Sequence, residues 1–368
     1  MSITASHNPA QWNGIKFIGK GAEPLTREEK LGEIYTFINE GHKIDEFQKG
    51  TVQEEGLLEK YAEYLQQFAP KELEQVKIVA NTNFGANGKV VDATIKRLPI
   101  ELVRLNWEED GTFPKGTPDP MLPFNRQEIS ARVVAEKAAF GVAWDADADR
   151  CFFYDEKGRF FHGYYITALL IKHFLDAEPG SGVVIERRLT WANLKAISEG
   201  EGLCIFSRTG HGYIKKAMRD HNAIFGGETS GHYYYRDFFF CDCGMVTFLV
   251  VLSIFAESLK EGIPVSALLD QFLQDFPISL QELNYITPNA QEIIDAAAEK
   301  YHDAEQSHED GLTADYPTWR FNLRMSSNEP VLRLNYEAKT QAEFAERSKE
   351  IEGFVTSFGA TLRDDDHA

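Results

Sequence analysis

Apolar and polar positions along this chain follow two repeating rhythms. Leu57, Leu58, Tyr61, Leu65 and Phe68 keep helical spacing until Pro70 stops the segment. Val76–Ala80 is then an apolar run of strand length, and Asn81–Gly88 is a turn-rich loop opening a periodic helix to Leu98. Leu102–Leu105 predicts a strand, Gly111–Pro123 a Gly/Pro-rich loop, Gln127–Ala138 a helix and Phe140–Ala143 a buried strand. Strands and helices in this alternation predict a parallel sheet with helices on its faces. Cys151–Tyr154, the turn Glu156-Lys157-Gly158 and Arg159–His162 predict a closing hairpin.

A second round repeats the rhythm. Helix Tyr165–Leu175, strand Gly182–Ile185, helix Trp191–Ser198 and strand Leu203–Phe206 are followed by a helix carrying Lys215 and Lys216. Strand Ala223–Phe225 and a buried helix Met245–Ser258 complete it. From about Phe276 the order changes to strand Ser279–Tyr285, helix Ala290–Tyr301, an acidic loop, and strands Trp319–Leu323 and Val331–Tyr336. Ahead of Leu57 the pattern is thin. Met1–Thr4 is the strand expected to support the loop at Ser6, with no earlier partner, so the first fifty or so residues are expected to be poorly tied down. The two later units are expected to fold as self-contained bodies.

Composition narrows the partners. A net charge of −19 sets nucleic acid and anionic membrane surfaces aside. Arg150, Arg187, Arg188, Lys215, Lys216, Arg324 and Arg333 nevertheless supply local cations for an anionic metabolite. Four cysteines in apolar surroundings suit a reducing, cytoplasmic setting. Met1–Pro9 is polar, so no signal peptide is expected, and Met245–Ala256 is too short and interrupted to cross a bilayer.

The chemistry concentrates in Trp-Asp-Ala-Asp-Ala-Asp-Arg, residues 144–150. Asp145, Asp147 and Asp149 held close together cannot all ionise without a cation, and hard oxygen ligands suit Mg²⁺. Arg150 adds a fork of donors for phosphate. Two other readings compete. With Glu156, the three aspartates fall at calcium-loop positions 1, 3, 5 and 12, but position 6 is Arg150 where glycine is normal. Asp145 could instead be an aspartyl nucleophile with Asp147 as its acid, as in haloacid-dehalogenase-like phosphatases. A merely solvated acidic turn is the bland alternative.

Further candidates sit on loops. Ser6 has a proton acceptor in His7 and a cation in Lys16 nearby, and a serine needs such activation, or prior phosphorylation, to serve phosphoryl transfer. Thr209 and Gly210 open a helix whose free N–H groups can hold phosphate. Residues 226–232 carry Glu228, Ser230 and His232 on a glycine loop able to bind sugar hydroxyls. Arg324 and Arg333 flank Ser326, Ser327 and Asn328, a possible phosphate cradle.

Four motifs in this order, Thr-Ala-Ser-His-Asn-Pro, Asp-x-Asp-x-Asp-Arg, Gly-Glu-x-Ser-Gly-His and Arg-x-Ser-x-x-Glu-Pro, resemble the α-D-phosphohexomutases. Gly111–Pro114, Asp149–Phe152 and Trp319–Arg324 are similar to the bacterial phosphomannomutase branch. The resemblance implies consecutive α/β/α domains with mixed sheets around one cleft, plus a C-terminal α+β domain: residues 1–52, 53–162, 163–274 and 275–368. It implies a cytoplasmic, magnesium-dependent isomerase of carbohydrate metabolism, serving GDP-mannose biosynthesis. That enzyme interconverts hexose 6-phosphate and hexose 1-phosphate, most simply of mannose and alternatively of glucose, through a phosphoserine and a hexose 1,6-bisphosphate.

On this resemblance Ser6 carries the phosphoryl group, Asp145, Asp147, Asp149 and the phosphoserine oxygen of Ser6 bind Mg²⁺, and Arg150 flanks the transfer. Lys16 is a general acid or base, and His7 and His232 line the cleft. Glu228 and Ser230 read sugar hydroxyls, while Arg324, Ser326, Ser327 and Asn328 hold the phosphate that is not transferred. Two departures stand out. Ser327 and Asn328 replace the family's usual Gly-Thr or Asn-Thr. The family's segment ahead of the serine loop is missing, so low activity is expected, or a remnant that binds Mg²⁺ and sugar phosphate without turnover.

Overall fold

The computed structural model describes residues 1–23, 25, 30–41, 50–279, 282–326 and 331–363. Its first large sheet runs in the order Ile100–Leu105, Val76–Asn81, Phe140–Trp144, Cys151–Asp155, Phe160–Phe161. The first three strands are parallel and the last two antiparallel. Phe140–Trp144 and Cys151–Asp155 are buried at every position because both faces are covered. Val79, Ala143 and Tyr154 meet Ile129 and Val133 of helix Pro123–Glu136 on one face. Ile78, Val142 and Phe153 turn to the opposite face.

The second sheet runs Cys241–Asp242, Tyr233–Tyr235, Phe225–Gly227, Gly182–Glu186, Leu203–Ser207, with a parallel centre. Helix Gly244–Lys260 joins it to the first sheet. Phe255 lies edge-on to Phe140 and Phe153, at centroid distances of 5.2 and 5.8 Å, and Phe248 packs on Trp144 at 5.5 Å. Trp144 Nε1 donates to the Gly244 carbonyl at 3.1 Å. One apolar core therefore runs through both α/β units, and the expected pair of self-contained bodies gives way to two sheets sharing a buried helix. That helix carries apolar residues on every side, so its periodicity could not reveal two partners.

The third sheet is antiparallel, in the order Glu305–Ser307, Leu312–Asp315, Trp319–Met325, Val331–Ala338, Leu283–Ile286, Thr361–Leu362. It has its own core, including Phe321, Leu323, Leu334, Ile293 and Ile351. The expected acidic loop is in part a hairpin, Glu305–Ser307 against Leu312–Asp315. The strand expected from Ser279 is described from Leu283 onward. At the start of the chain, Ser2–Ile3 does find a partner, pairing antiparallel with Ile15–Lys16. No described residue before Ala62 is buried.

Candidate active site

Strand Phe140–Trp144 ends at the carboxylates. In its sheet, the neighbouring strand Val76–Asn81 is followed in sequence by Ile100–Leu105 on the other side, so the connections diverge at this edge and open a crevice. The loop 145–150 turns back sharply through Ala148, whose φ of 58° is left-handed, into strand Cys151–Asp155. Asp145, Asp147 and Asp149 each offer an oxygen, and these oxygens lie within 4.8 Å of one another.

The serine loop sits directly on this turn. Ser6 Oγ donates to Asp145 Oδ2 at 3.0 Å, and Thr4 Oγ1 donates to Asp147 Oδ2 at 2.7 Å. Lys16 Nζ bridges Asp147 at 3.1 Å and Asp149 at 2.6 Å. His7 Nδ1 is 3.2 Å from Ser6 Oγ, and the Arg150 guanidinium contacts the same imidazole. Arg150 also lies 3.4 Å from Asp145, while its backbone N–H donates to Asp145 Oδ1.

The second unit enters from the other side. His232 Nε2 is 3.4 Å from Asp149, and its Nδ1 lies 3.0 Å from Ser230 Oγ and 3.4 Å from Glu228. An isolated bridge between Arg150 and His232 fixes the two loops against each other. Glu228 accepts from the Gly210 N–H and the Tyr234 hydroxyl, each at 2.8 Å. Gly231 makes this turn with φ of 89°, and a Cβ there would stand 2.6 Å from the Phe152 ring.

Thr209 extends the network toward the last sheet. Its hydroxyl bonds Glu186 at 3.0 Å and Asp310 at 2.8 Å. Glu186 pairs with Arg188 at 2.6 Å, and Arg188 lies 3.4 Å from Glu282. Arg324 and Arg333 reach that same Glu282 carboxylate at 3.1 and 3.2 Å. Polar contacts thus lead from Ser6 to Arg324 through all three sheets. Ser326 precedes the strand Val331–Ala338 and its N–H donates to the Val331 carbonyl; Ser327 and Asn328 lie outside the described residues.

Residues 1–45, 59–158, 162–276 and 282–353 match, in order, domains I, II and III and the C-terminal domain of the phosphoglucomutase/phosphomannomutase family. The chain is 38% identical to a phosphomannomutase of Vibrio cholerae over 347 residues, which is 92% of this chain and 74% of that protein. It belongs to this family. A phosphohexose mutase of Xanthomonas campestris is 37% identical, across 96% of this chain and 79% of its own length. Among solved structures, a phosphoglucomutase/phosphomannomutase family protein of Burkholderia thailandensis superposes with a TM-score of 0.86 at 26% identity, covering 98% of this chain and 77% of that one. The Aspergillus fumigatus N-acetylphosphoglucosamine mutase, solved with GlcNAc-6P and magnesium, shares the fold at 15% identity and a TM-score of 0.62.

The donor set of the cleft fits the family's divalent cation. Three carboxylates converge, and the Oδ1 atom of Asp147 is buried without a hydrogen bond, while that of Asp149 faces His232 Nε2 at 3.4 Å. The protonation pattern reports the same crowding. Burial and the Asp149 and Asp147 charges push the Asp145 carboxyl well above the usual range. Burial works against ionising Asp149 too, but His232 and Lys16 hold that carboxyl well below it. Burial and the Arg150 charge lower His7 to about 4, which leaves its imidazole neutral at neutral pH. Lys16 is raised despite burial by Asp149 and Asp147, so it stays protonated.

Several cleft residues carry no motif signal of their own. Asp119, within a Gly/Pro-rich loop, faces His7 at 3.9 Å and Arg150 at 3.8 Å. Asp242 holds Lys215 at 2.6 Å beside Asp149 and His232. Glu186, Asp310 and Glu282 organise the far end. The Pro-Asp-Pro setting of Asp119 was the one available hint, since a carboxylate in a rigid loop is pre-aimed.

Proposed function

We propose that this cleft interconverts hexose 6-phosphate and hexose 1-phosphate, with mannose the favoured sugar, by two phosphoryl transfers through Ser6. In the first, the Oγ–P bond of phosphorylated Ser6 breaks and a P–O bond to the free sugar hydroxyl forms, giving a 1,6-bisphosphate. The bisphosphate turns end for end, and its other phosphoryl group returns to Ser6.

This chain's residues divide the work. Neutral His7, near Ser6 Oγ, accepts the proton of the attacking sugar hydroxyl. Protonated Lys16 gives a proton to the leaving Ser6 oxygen in that same transfer; on the return Lys16 takes the Ser6 hydroxyl proton back and His7 gives its proton to the leaving sugar oxygen, so both end as they began. Arg150 lies against the charge that grows on the moving phosphoryl group. A Mg²⁺ ion held by Asp145, Asp147, Asp149 and the phosphoserine oxygen would neutralise charge on the phosphoryl oxygens. Glu228, Ser230 and His232 bind sugar hydroxyls, with Thr209 and Gly210 beside them. Arg324, Arg333 and the Ser326–Asn328 loop anchor the phosphate at rest.

The observation that carries this reading is the docking of the serine loop on the carboxylate turn, with Ser6 3.0 Å from Asp145 and Lys16 between Asp147 and Asp149. The test is a coupled mutase assay with Mg²⁺ and catalytic hexose 1,6-bisphosphate, supplying mannose 1-phosphate and glucose 1-phosphate in parallel. Turnover that vanishes in Ser6→Ala is expected, with the larger kcat/KM for mannose. Undiminished turnover by the alanine variant would reject the reading.

A further inference from the structure

Glu282 occupies an unusual position in the anchor. Its Oε1 accepts from Arg324 at 3.1 Å and Asn335 at 2.9 Å and lies 3.4 Å from Arg188, while its Oε2 is 3.2 Å from Arg333. Both oxygens of one carboxylate are therefore used by the guanidinium groups that a phosphate would need. Arg188 lies two residues past the end of strand Gly182–Glu186 in the second sheet, Arg324 and Arg333 come from neighbouring strands of the third, and register places Arg324 directly across from Arg333. Three cations this close repel one another, and Glu282 offsets that repulsion. It stays ionised across the working range: burial opposes the charge, but Arg188, Arg324 and Arg333 hold its carboxyl at about 2.

We infer that Glu282 is a built-in counter-anion that keeps the phosphate anchor weak enough to let go. The inference rests on the reading of Arg324 and Arg333 as that anchor. A mutase whose bisphosphate must reverse end for end has to release the anchored phosphate once in every turnover. Guanidinium groups with no carboxylate among them would hold a dianion too firmly, and binding that strengthens ground state and transition state alike slows the cycle once the site is full. Glu282 shares the same donors, so each phosphate that arrives displaces part of an existing contact and each that leaves is replaced. Glu282 is thus a positioning residue that sets anchor strength.

Glu282→Gln keeps the shape and one acceptor while removing the charge. Titration calorimetry with inorganic phosphate on the full chain should show binding about three- to tenfold tighter, the scale of one like charge removed at close range. In the mutase assay KM and kcat should fall together, a split that a merely structural role would not produce. Binding that is unchanged or weaker in a variant with a normal melting curve would overturn the inference. Should Glu282→Gln fail to fold, Glu282→Asp decides, since the shorter carboxylate retracts from the guanidinium groups. Tighter phosphate there supports the inference, and unchanged or weaker phosphate sinks it. Arg324→Ala belongs in the same titration. If it leaves phosphate binding intact, the anchor reading itself fails and the inference goes with it; if it weakens binding while Glu282→Gln does not tighten it, Glu282 alone has been misread.

Discussion

At Asp147 one carboxylate oxygen carries Thr4 and Lys16, while the other is buried and makes no hydrogen bond. A cation would complete that residue, so Asp147→Asn should weaken Mg²⁺ binding measured by calorimetry and leave sugar-phosphate binding largely intact. Arg324→Ala should do the reverse, weakening sugar-phosphate binding by roughly 1.5–3 kcal/mol, the range for hydrogen bonds to charged groups. Equal loss of metal in both variants would contradict the division of labour. Glu282 makes a prediction in pH. Its folded carboxyl is held at about 2 against an ordinary 4.5, so its stabilising charge is fully present above 4.5 and is lost as pH falls toward 2. Acid unfolding of the Glu282→Gln chain should therefore fall off less steeply between those values, as followed by circular dichroism. Individual residues differed in how well the sequence revealed them. Asp145, Asp149 and Arg150 announce themselves by spacing alone, whereas Glu282 and Asp119 are single acids whose meaning depends on partners far away in the chain.

Strands with unbroken apolar runs, such as Phe140–Trp144, were legible because burial on both faces demands them. Helix Gln341–Ser357 was not, since only Ile351 and Val355 are buried and charged residues fill most of its surface. The hairpin Glu305–Asp315 was hidden for a similar reason: Leu312 and Ala314 are its apolar signal in a run of polar residues. Two elements can be tested directly. Gly231→Ala places a Cβ against the Phe152 ring in a left-handed turn, so kcat/KM should drop at least tenfold, with little change in Mg²⁺ affinity. Phe255→Ala empties the site where helix Gly244–Lys260 packs on the first sheet and should cost about 3–5 kcal/mol. Because one core spans the two units, denaturant unfolding of that variant should remain a single transition for both. Two separated transitions would show that the units are independent.

Across the whole molecule, the serine loop and the carboxylate turn meet although Ser6 and Asp145 are 139 residues apart. No local pattern predicts such a contact; the ordered set of motifs does, because each belongs to a different unit facing one cleft. The anionic chain and the cationic anchor fit together in the same way: a chain of net charge −19 keeps Arg188 and Arg324 buried, with Arg333 half-buried beside them, as a local pocket of positive charge. The central claim is that phosphate is carried on Ser6. Incubating the chain with Mg²⁺ and hexose 1,6-bisphosphate labelled in its phosphates, then digesting and mapping the label, tests it most directly. Label is expected on the Ser6 peptide as phosphoserine, stable to hydroxylamine and absent from Ser6→Ala. Hydroxylamine-labile label on Asp145, the mark of an acyl phosphate, would contradict it.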